Sequence, residues 1–171
     1  MFILIHKKGQ VWSLDFIVAI IIFITSFLVL YNYILDLQAP KDAALKSLEI
    51  DSRFITTNLL SSGYPSNWTS SGVTIIGIVD NGYLNVDKLK NFSALTYQDS
   101  KALLKTRYDF YLFFENKTTS PINISGVSSI GKASVNSTNL NQVINPSKIY
   151  QTTRLVVYNN QIVRMVLYLW Q

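Results

Sequence analysis

An α+β fold is predicted, with a long N-terminal helix laid on an antiparallel β-sheet, and three features of the sequence predict it. An uninterrupted apolar stretch occupies Phe16 to Leu35. An amphipathic segment with apolar spacings of three, four and seven follows between Lys41 and Leu60. The chain then closes on two strand-like runs, Ile149 to Tyr158 and Gln161 to Trp170, separated only by Asn159-Asn160. A helix with one half apolar all round and the other half amphipathic, followed by strands, suits a spine that leaves a membrane and then covers a sheet. The 171 residues give three segments: 1–9 as a leader, 10–39 as the apolar helix and 40–171 as one domain of ordinary size.

The apolar stretch contains no charged residue and consists almost wholly of Ile, Val, Leu, Phe and Ala. Its length matches the ~20 residues, at ~1.5 Å each, that cross a ~30 Å hydrocarbon layer. Thr25, Ser26 and Asn32 can hydrogen-bond to backbone carbonyls or to partner helices, and Tyr31 and Tyr33 fall where an aromatic belt belongs. No turn residue interrupts the run, which argues against a central strand or a core helix of a soluble domain. Membrane lipid is therefore the first expected partner. The basic pair Lys7-Lys8 precedes the helix, so the charge bias puts the N-terminus in the cytoplasm and the rest of the chain outside. A secretory signal peptide would put its basic segment first and end in a small-residue cleavage site, and this segment does neither.

The series Lys7-Lys8-Gly9-Gln10, then Asp15, then the apolar helix resembles the class III signal peptide of archaeal type IV pilin-like proteins. The resemblance covers about the first thirty-five residues. It implies a pilin-like fold and a prepilin peptidase as partner, cutting between Gly9 and Gln10 with Lys7 and Lys8 as recognition charges. The mature chain would then pack its apolar helix against copies of itself or related subunits in a filament core. The family's acid usually stands fifth in the mature chain and is usually Glu; Asp15 is sixth counted from Gln10. Three alternatives follow: a cut after Gln10, a variant subgroup, or a different role for Asp15. In pilin-like assemblies the acid is thought to meet the new N-terminal amine of a neighbouring subunit. Physically, a carboxylate at the edge of an apolar helix is costly to bury and is usually paired or functional, the other reading being a solvated residue at headgroup level. A buried ion pair of that kind specifies register more than it stabilises.

Beyond Leu35, Asp36 to Pro40 marks the exit from the membrane, with Pro40 expected to kink or break the helix. From Lys41 to Leu60, the residues Leu45, Leu48, Ile55 and Leu59 form the apolar stripe, leaving Lys41, Asp42, Lys46, Asp51 and Arg53 to water. Gly63 is placed for a left-handed conformation after the helix, and Pro65 prevents continuation. Val73 to Val79 reads as a strand ending in the turn Asp80-Asn81-Gly82. Asp87 to Leu95 and Tyr97 to Lys105 read as short helices, and Tyr108 to Phe114 as a strand with one face buried. Lys117 to Pro121 is a turn, Asn123 to Ile130 a weak strand, and Ser134 to Ser147 an exposed loop. Asn tolerates the positive φ of a type I′ turn, so Asn159-Asn160 makes the last two runs a hairpin. Val156 then faces Val163, and Met165, Leu167 and Leu169 extend the face turned to the helix.

Composition excludes several chemistries. There is no cysteine, and the only histidine is His6, ahead of the apolar helix, so Ser–His catalysis and His- or Cys-ligated zinc are excluded from the domain. No phosphate loop, dinucleotide turn or nucleophile elbow is present. Catalytic, cofactor-binding and metal residues are thus none, and no cofactor is expected. Asp80-Asn81-Gly82 resembles part of a calcium loop but lacks the alternating ligands and terminal Glu. The net charge of +5 is dispersed, which argues against a nucleic-acid partner. Arg154 and Arg164 read as solvent-facing strand charges. Tyr64, Trp68, Tyr108, Phe110 and Trp170 read as core and corner residues. Five Asn-x-Ser/Thr sequons, at Asn67, Asn91, Asn116, Asn123 and Asn136, all follow the apolar helix, and Asn116 and Asn136 fall in expected loops.

These readings describe a non-enzymatic structural protein of the cell membrane and surface, a pilus-like filament subunit or its minor or pseudopilin component. The alternative is an unprocessed single-pass anchor whose outer domain binds a partner or ligand. A tethered hydrolase would have to work with carboxylates alone, and no carboxylate pair is evident.

Overall fold

The computed structural model describes residues 8–37, 41–136, 139 and 149–171. The chain divides into two compact units, Met1–Lys41 and Asp42–Gln171. The first is the helix α1 (Lys8–Leu37). Its apolar composition suits a continuous helix because no Gly or Pro interrupts it after Gly9. Pro40 and its expected kink lie outside the described residues.

The second unit opens on α2 (Lys41–Leu59), followed by β1 (Val79–Asp80), β2 (Tyr83–Leu84), α3 (Val86–Ser93) and α4 (Tyr97–Leu103). The strands β3 (Asp109–Glu115), β4 (Pro121–Ile122), β5 (Ser129–Gly131), β6 (Ile149–Tyr158) and β7 (Gln161–Trp170) complete it. They form one sheet in the order β1-β2-β6-β7-β3-β4, with β5 sharing the outer edge of β3. All pairings are antiparallel except one. Tyr83 of β2 lies parallel beside Val157 of β6, so the sheet is mixed rather than the expected antiparallel one. That pairing rests on a strand of two residues brought alongside β6 by its turn with β1.

The final hairpin has the expected register, from Tyr158↔Gln161 through Val156↔Val163 to Ile149↔Trp170. Asn159 and Asn160 take φ of 48° and 59°, the positive values that a two-residue turn requires. Met165, Leu167 and Leu169 are fully buried together with Leu48, Ile55 and Leu59 of α2. Side chains alternate across a pleated strand, so this single register turns every second residue of β7 to the helix. Leu45 is the exception on the apolar stripe of α2, being exposed. Two polar residues, Ser52 and Thr56, are buried in the same interface. Ser52 shares a hydrogen bond with Thr152, and Arg154 Nε donates to Thr56 Oγ1 at 3.2 Å. Arg154 is therefore a tie between sheet and helix, not a solvent-facing charge. Arg164 likewise turns to Glu115, its partner in register on β3, at 3.6 Å.

β3 is buried on both faces, not one. Phe110, Leu112 and Phe114 join the helix-side core, whereas Tyr111 and Phe113 join Val135, Val166 and Trp170 in a second cluster on the opposite face. A central strand flanked by β7 and by β4 and β5 reads as a continuous apolar run because both of its faces are covered. The expected strand over Val73 to Val79 is mostly irregular, and only Val79 enters the sheet. Its amides are taken elsewhere: Ile75 N donates to Tyr64 O, Ile78 N to Leu59 O and Val79 N to Ser61 O. The segment thus satisfies carbonyls at the end of α2 that the helix itself leaves open. A β-carbon on Gly77 would overlap the backbone of Ser61 and Gly63, so this clasp requires glycine there. Gly63 takes φ +74° as expected, although α2 ends earlier, at Leu59.

Asn123 to Ile130 is not one strand. Ile124 and Val127 close a tight turn, and only Ser129 to Gly131 pair with β3. Of the expected exposed loop over Ser134 to Ser147, Val135 is buried in the second cluster, while 137, 138 and 140–147 lie outside the described residues. Trp68, Tyr108, Phe110 and Trp170 are core residues as expected, but Tyr64 is 65% exposed.

Candidate functional site

The apolar helix and the acid within it form the first candidate. Leu14–Ile34 is a 21-residue segment long and apolar enough to cross a membrane. Every side chain in it is exposed. Two of its polar side chains bond to the helix's own backbone: Thr25 Oγ1 donates to Ile21 O at 2.9 Å, and Asn32 Nδ2 to Leu28 O at 2.8 Å. The helix therefore presents a hydrocarbon surface with few unmet hydrogen bonds, the condition that an apolar medium imposes.

Asp15 is exposed and has no hydrogen bond or ion pair among the described residues. It stands about two turns inside α1, beyond the first turn over which a helix dipole steadies an acid. Nothing among the described residues accounts for a carboxylate at this position. Of the expected processing residues, Lys7 lies outside the described residues, whereas Lys8, Gly9 and Gln10 have helical backbone continuous with α1.

In the domain, the most developed polar cluster surrounds Asp109 at the start of β3. Tyr97 donates to its Oδ1 at 2.8 Å and Lys101 at 3.0 Å, and Lys132 pairs with Oδ2. Burial alone would raise the carboxyl, but the hydrogen bonds from Lys132, Tyr97 and Lys101 outweigh it and hold its pKa at about 2. Burial and the same carboxylate push the Tyr97 hydroxyl well above its ordinary range. The cluster ties α4 and the exit of β5 to β3, and its carboxylate is fully committed. Asp109→Ala should lower domain stability by ~1.5–3 kcal/mol, the range for hydrogen bonds to charged groups. Because the folded pKa lies below the unfolded value of ~3.9, this contribution is complete above about pH 4. It is lost as pH falls towards 2. Denaturant melts at pH 7 and pH 2 check both points: the gap between wild type and Asp109→Ala should narrow at the lower pH.

Asp80 is committed in the same way. Lys88 Nζ, itself buried, contacts Asp80 Oδ1 at 2.6 Å and Ser62 O at 2.9 Å, and Asn85 Nδ2 donates to Asp80 Oδ2 at 2.7 Å. Burial raises its pKa, and the Lys88 and Asn85 contacts more than reverse that. Asn81 and Gly82 form the expected turn with positive φ, and the Asp80 oxygens are occupied by protein donors.

The sequons are scattered. Asn67 and Asn123 are exposed in loops, Asn91 is half-buried within α3, Asn116 is half-buried just after β3, and Asn136 is exposed beside two residues outside the described set. The polar ties Ser47–Tyr108, Ser52–Thr152 and Thr56–Arg154 are absent from the sequence reading. Their only signal there is the appearance of hydroxyl residues beside the apolar stripe of α2. No family model, curated protein or solved structure matches the chain.

Proposed function

We propose that this chain is a structural, non-enzymatic subunit of a type IV pilus-like surface filament, or a minor or pseudopilin component of one. It is assembled through α1 after prepilin-peptidase cleavage, with the domain of residues 40–171 outside the membrane. The observation that carries the reading is the state of α1: a 21-residue, predominantly apolar and fully exposed segment whose Thr25 and Asn32 bond to its own backbone, with a carboxylate near its start that has no partner among the described residues. The hydrocarbon core of a bilayer would accept the apolar surface but not a buried acid, whereas a neighbouring subunit would cover the one with its own apolar helix and pair the other with its terminal amine.

A second reading, the unprocessed single-pass anchor, is favoured by one feature. α1 runs helical through Gly9–Gln10, and a peptidase would have to unwind that turn to cut it. Replacing Gly9 separates the two. A peptidase beside a membrane needs close approach to the backbone, which a residue without a side chain allows. With a prepilin peptidase present, Gly9→Leu should accumulate as the full-length chain while wild type is shortened. Equal shortening of the two on a gel would show that Gly9 is not required, and a wild type that stays full-length would remove the processed reading.

A further inference from the structure

We propose that Asn116 is a glycan-bearing residue of this chain, selected among the sequons by the conformation of its loop. It rests on the outside placement of the domain and not on processing or assembly.

A sequon is usable by a transferase where its three residues lie together on an accessible loop. In three of the sequons the middle side chain anchors the core: Trp68 is 2% exposed, and Phe92 and Ile124 are 0% exposed. Drawing any of these tripeptides into another protein's active site would pull a buried core side chain out of the fold. The middle residue of Asn116-Lys117-Thr118 is no such anchor, and Asn116 itself is half-buried. Lys117 and Thr118 are exposed, and the tripeptide forms the turn between β3 and β4.

The turn also orients the acceptor. Asn116 Oδ1 accepts from Thr118 N at 2.9 Å, from Thr118 Oγ1 at 2.8 Å and from Ser120 N at 2.9 Å. Two backbone N–H groups converging on one atom identify it as the amide oxygen, since the amide nitrogen there would set donor against donor. Nδ2 is thereby directed away from the turn, and it donates to none of the described residues. Beside it, an open groove of mixed polar and apolar lining, with Lys117, Ile122, Tyr158, Asn159, Gln161 and Ile162 on its walls, offers room for a first sugar.

The hydroxyl of Thr118 donating to Oδ1 stabilises negative charge on the amide as Nδ2 gives up a proton. The co-reactant is a sugar carried on a polyisoprenyl phosphate, delivered by an external transferase. A bond forms between Nδ2 and the anomeric carbon, and the bond from that carbon to the phosphate oxygen breaks. The lipid phosphate leaves with the electron pair, and one Nδ2 proton passes to solvent through the transferase's base.

The test is glycopeptide mass spectrometry of the full chain from native membranes, beside protease shaving of intact cells to report the domain's side. Shaving that removes the domain, with Asn116 occupied and Asn67, Asn91 and Asn123 bare, is the expected result. Asn116→Gln should lose the Asn116-borne glycan mass, Thr118→Val should do the same, and Thr118→Ser should retain it with an unchanged melt. A shaved domain with Asn116 bare, or with Asn67, Asn91 and Asn123 occupied to the same degree, overturns the proposal while leaving the orientation intact. A domain protected from protease overturns both.

Discussion

Asp15→Ala is expected to leave expression, membrane insertion and processing at the wild-type level while abolishing assembly. The acid has no partner among the described residues and lies beyond the first helical turn, so its role is sought in a neighbour. If that neighbour supplies its terminal amine, removing the acid leaves the amine buried and unpaired, at a typical cost of ~3–5 kcal/mol. An assembly step then weakens by a factor of hundreds or more, at ~1.4 kcal/mol per tenfold. Asp15→Asn keeps the shape and loses the charge, and should behave nearly as Ala does. Asp15→Glu should assemble, since the longer side chain compensates for an acid one place out of the family's usual register. Electron microscopy of sheared cell-surface material reads all three. Filaments of Asp15→Ala at wild-type abundance would retire the pairing.

The second large effect is expected from shortening the chain. Without residues 1–39 the domain should be folded, monomeric and soluble, because Leu48, Ile55 and Leu59 of α2 still cover Met165, Leu167 and Leu169. A chain starting at Gly63 loses that cover. Three such side chains, at ~1.5–3 kcal/mol each, rival the ~5–15 kcal/mol total stability of a domain. It also loses the carbonyls of Leu59 and Ser61 that hold Ile78 and Val79. Aggregation, or a broad non-cooperative melt, is the expected result. A Gly63 chain as soluble and as cooperative as the longer one would show that α2 is not the cover of the sheet.

The parts of this fold legible in the sequence were those fixed by local chemistry. Asn159-Asn160 between two long alternating runs leaves only one turn type and one register, and the observed pairing follows it residue for residue. The stripe through Leu48, Ile55 and Leu59 likewise needs nothing beyond helical periodicity. The parts that were not legible depend on distant partners. Val73 to Val79 has strand composition, yet its amides are claimed by Tyr64, Leu59 and Ser61, a contest that composition cannot report. The parallel contact of Tyr83 with Val157 joins residues far apart in sequence through a single pair. Phe110 to Phe114 gives no alternation because aromatic and aliphatic residues occupy both faces, so the second cluster was invisible until the sheet was assembled. Arg154 looked like a strand charge because nothing in its neighbourhood announces Thr56. For the candidate site, the apolar helix and the place of Asp15 within it were readable in order along the chain. The loops at Asn116 and Asn136 were readable too, whereas the burial of Trp68, Phe92 and Ile124 inside the other three sequons was not.

The measurement that bears most directly on the central claim is the N-terminal sequence of the protein isolated from native membranes or sheared surface material. A mature chain beginning at Gln10 is the result the account predicts, and it fixes both the peptidase and the register of Asp15. A chain retaining Met1 and the basic pair Lys7-Lys8 would contradict it, leaving α1 as the anchor of a protein that is never processed.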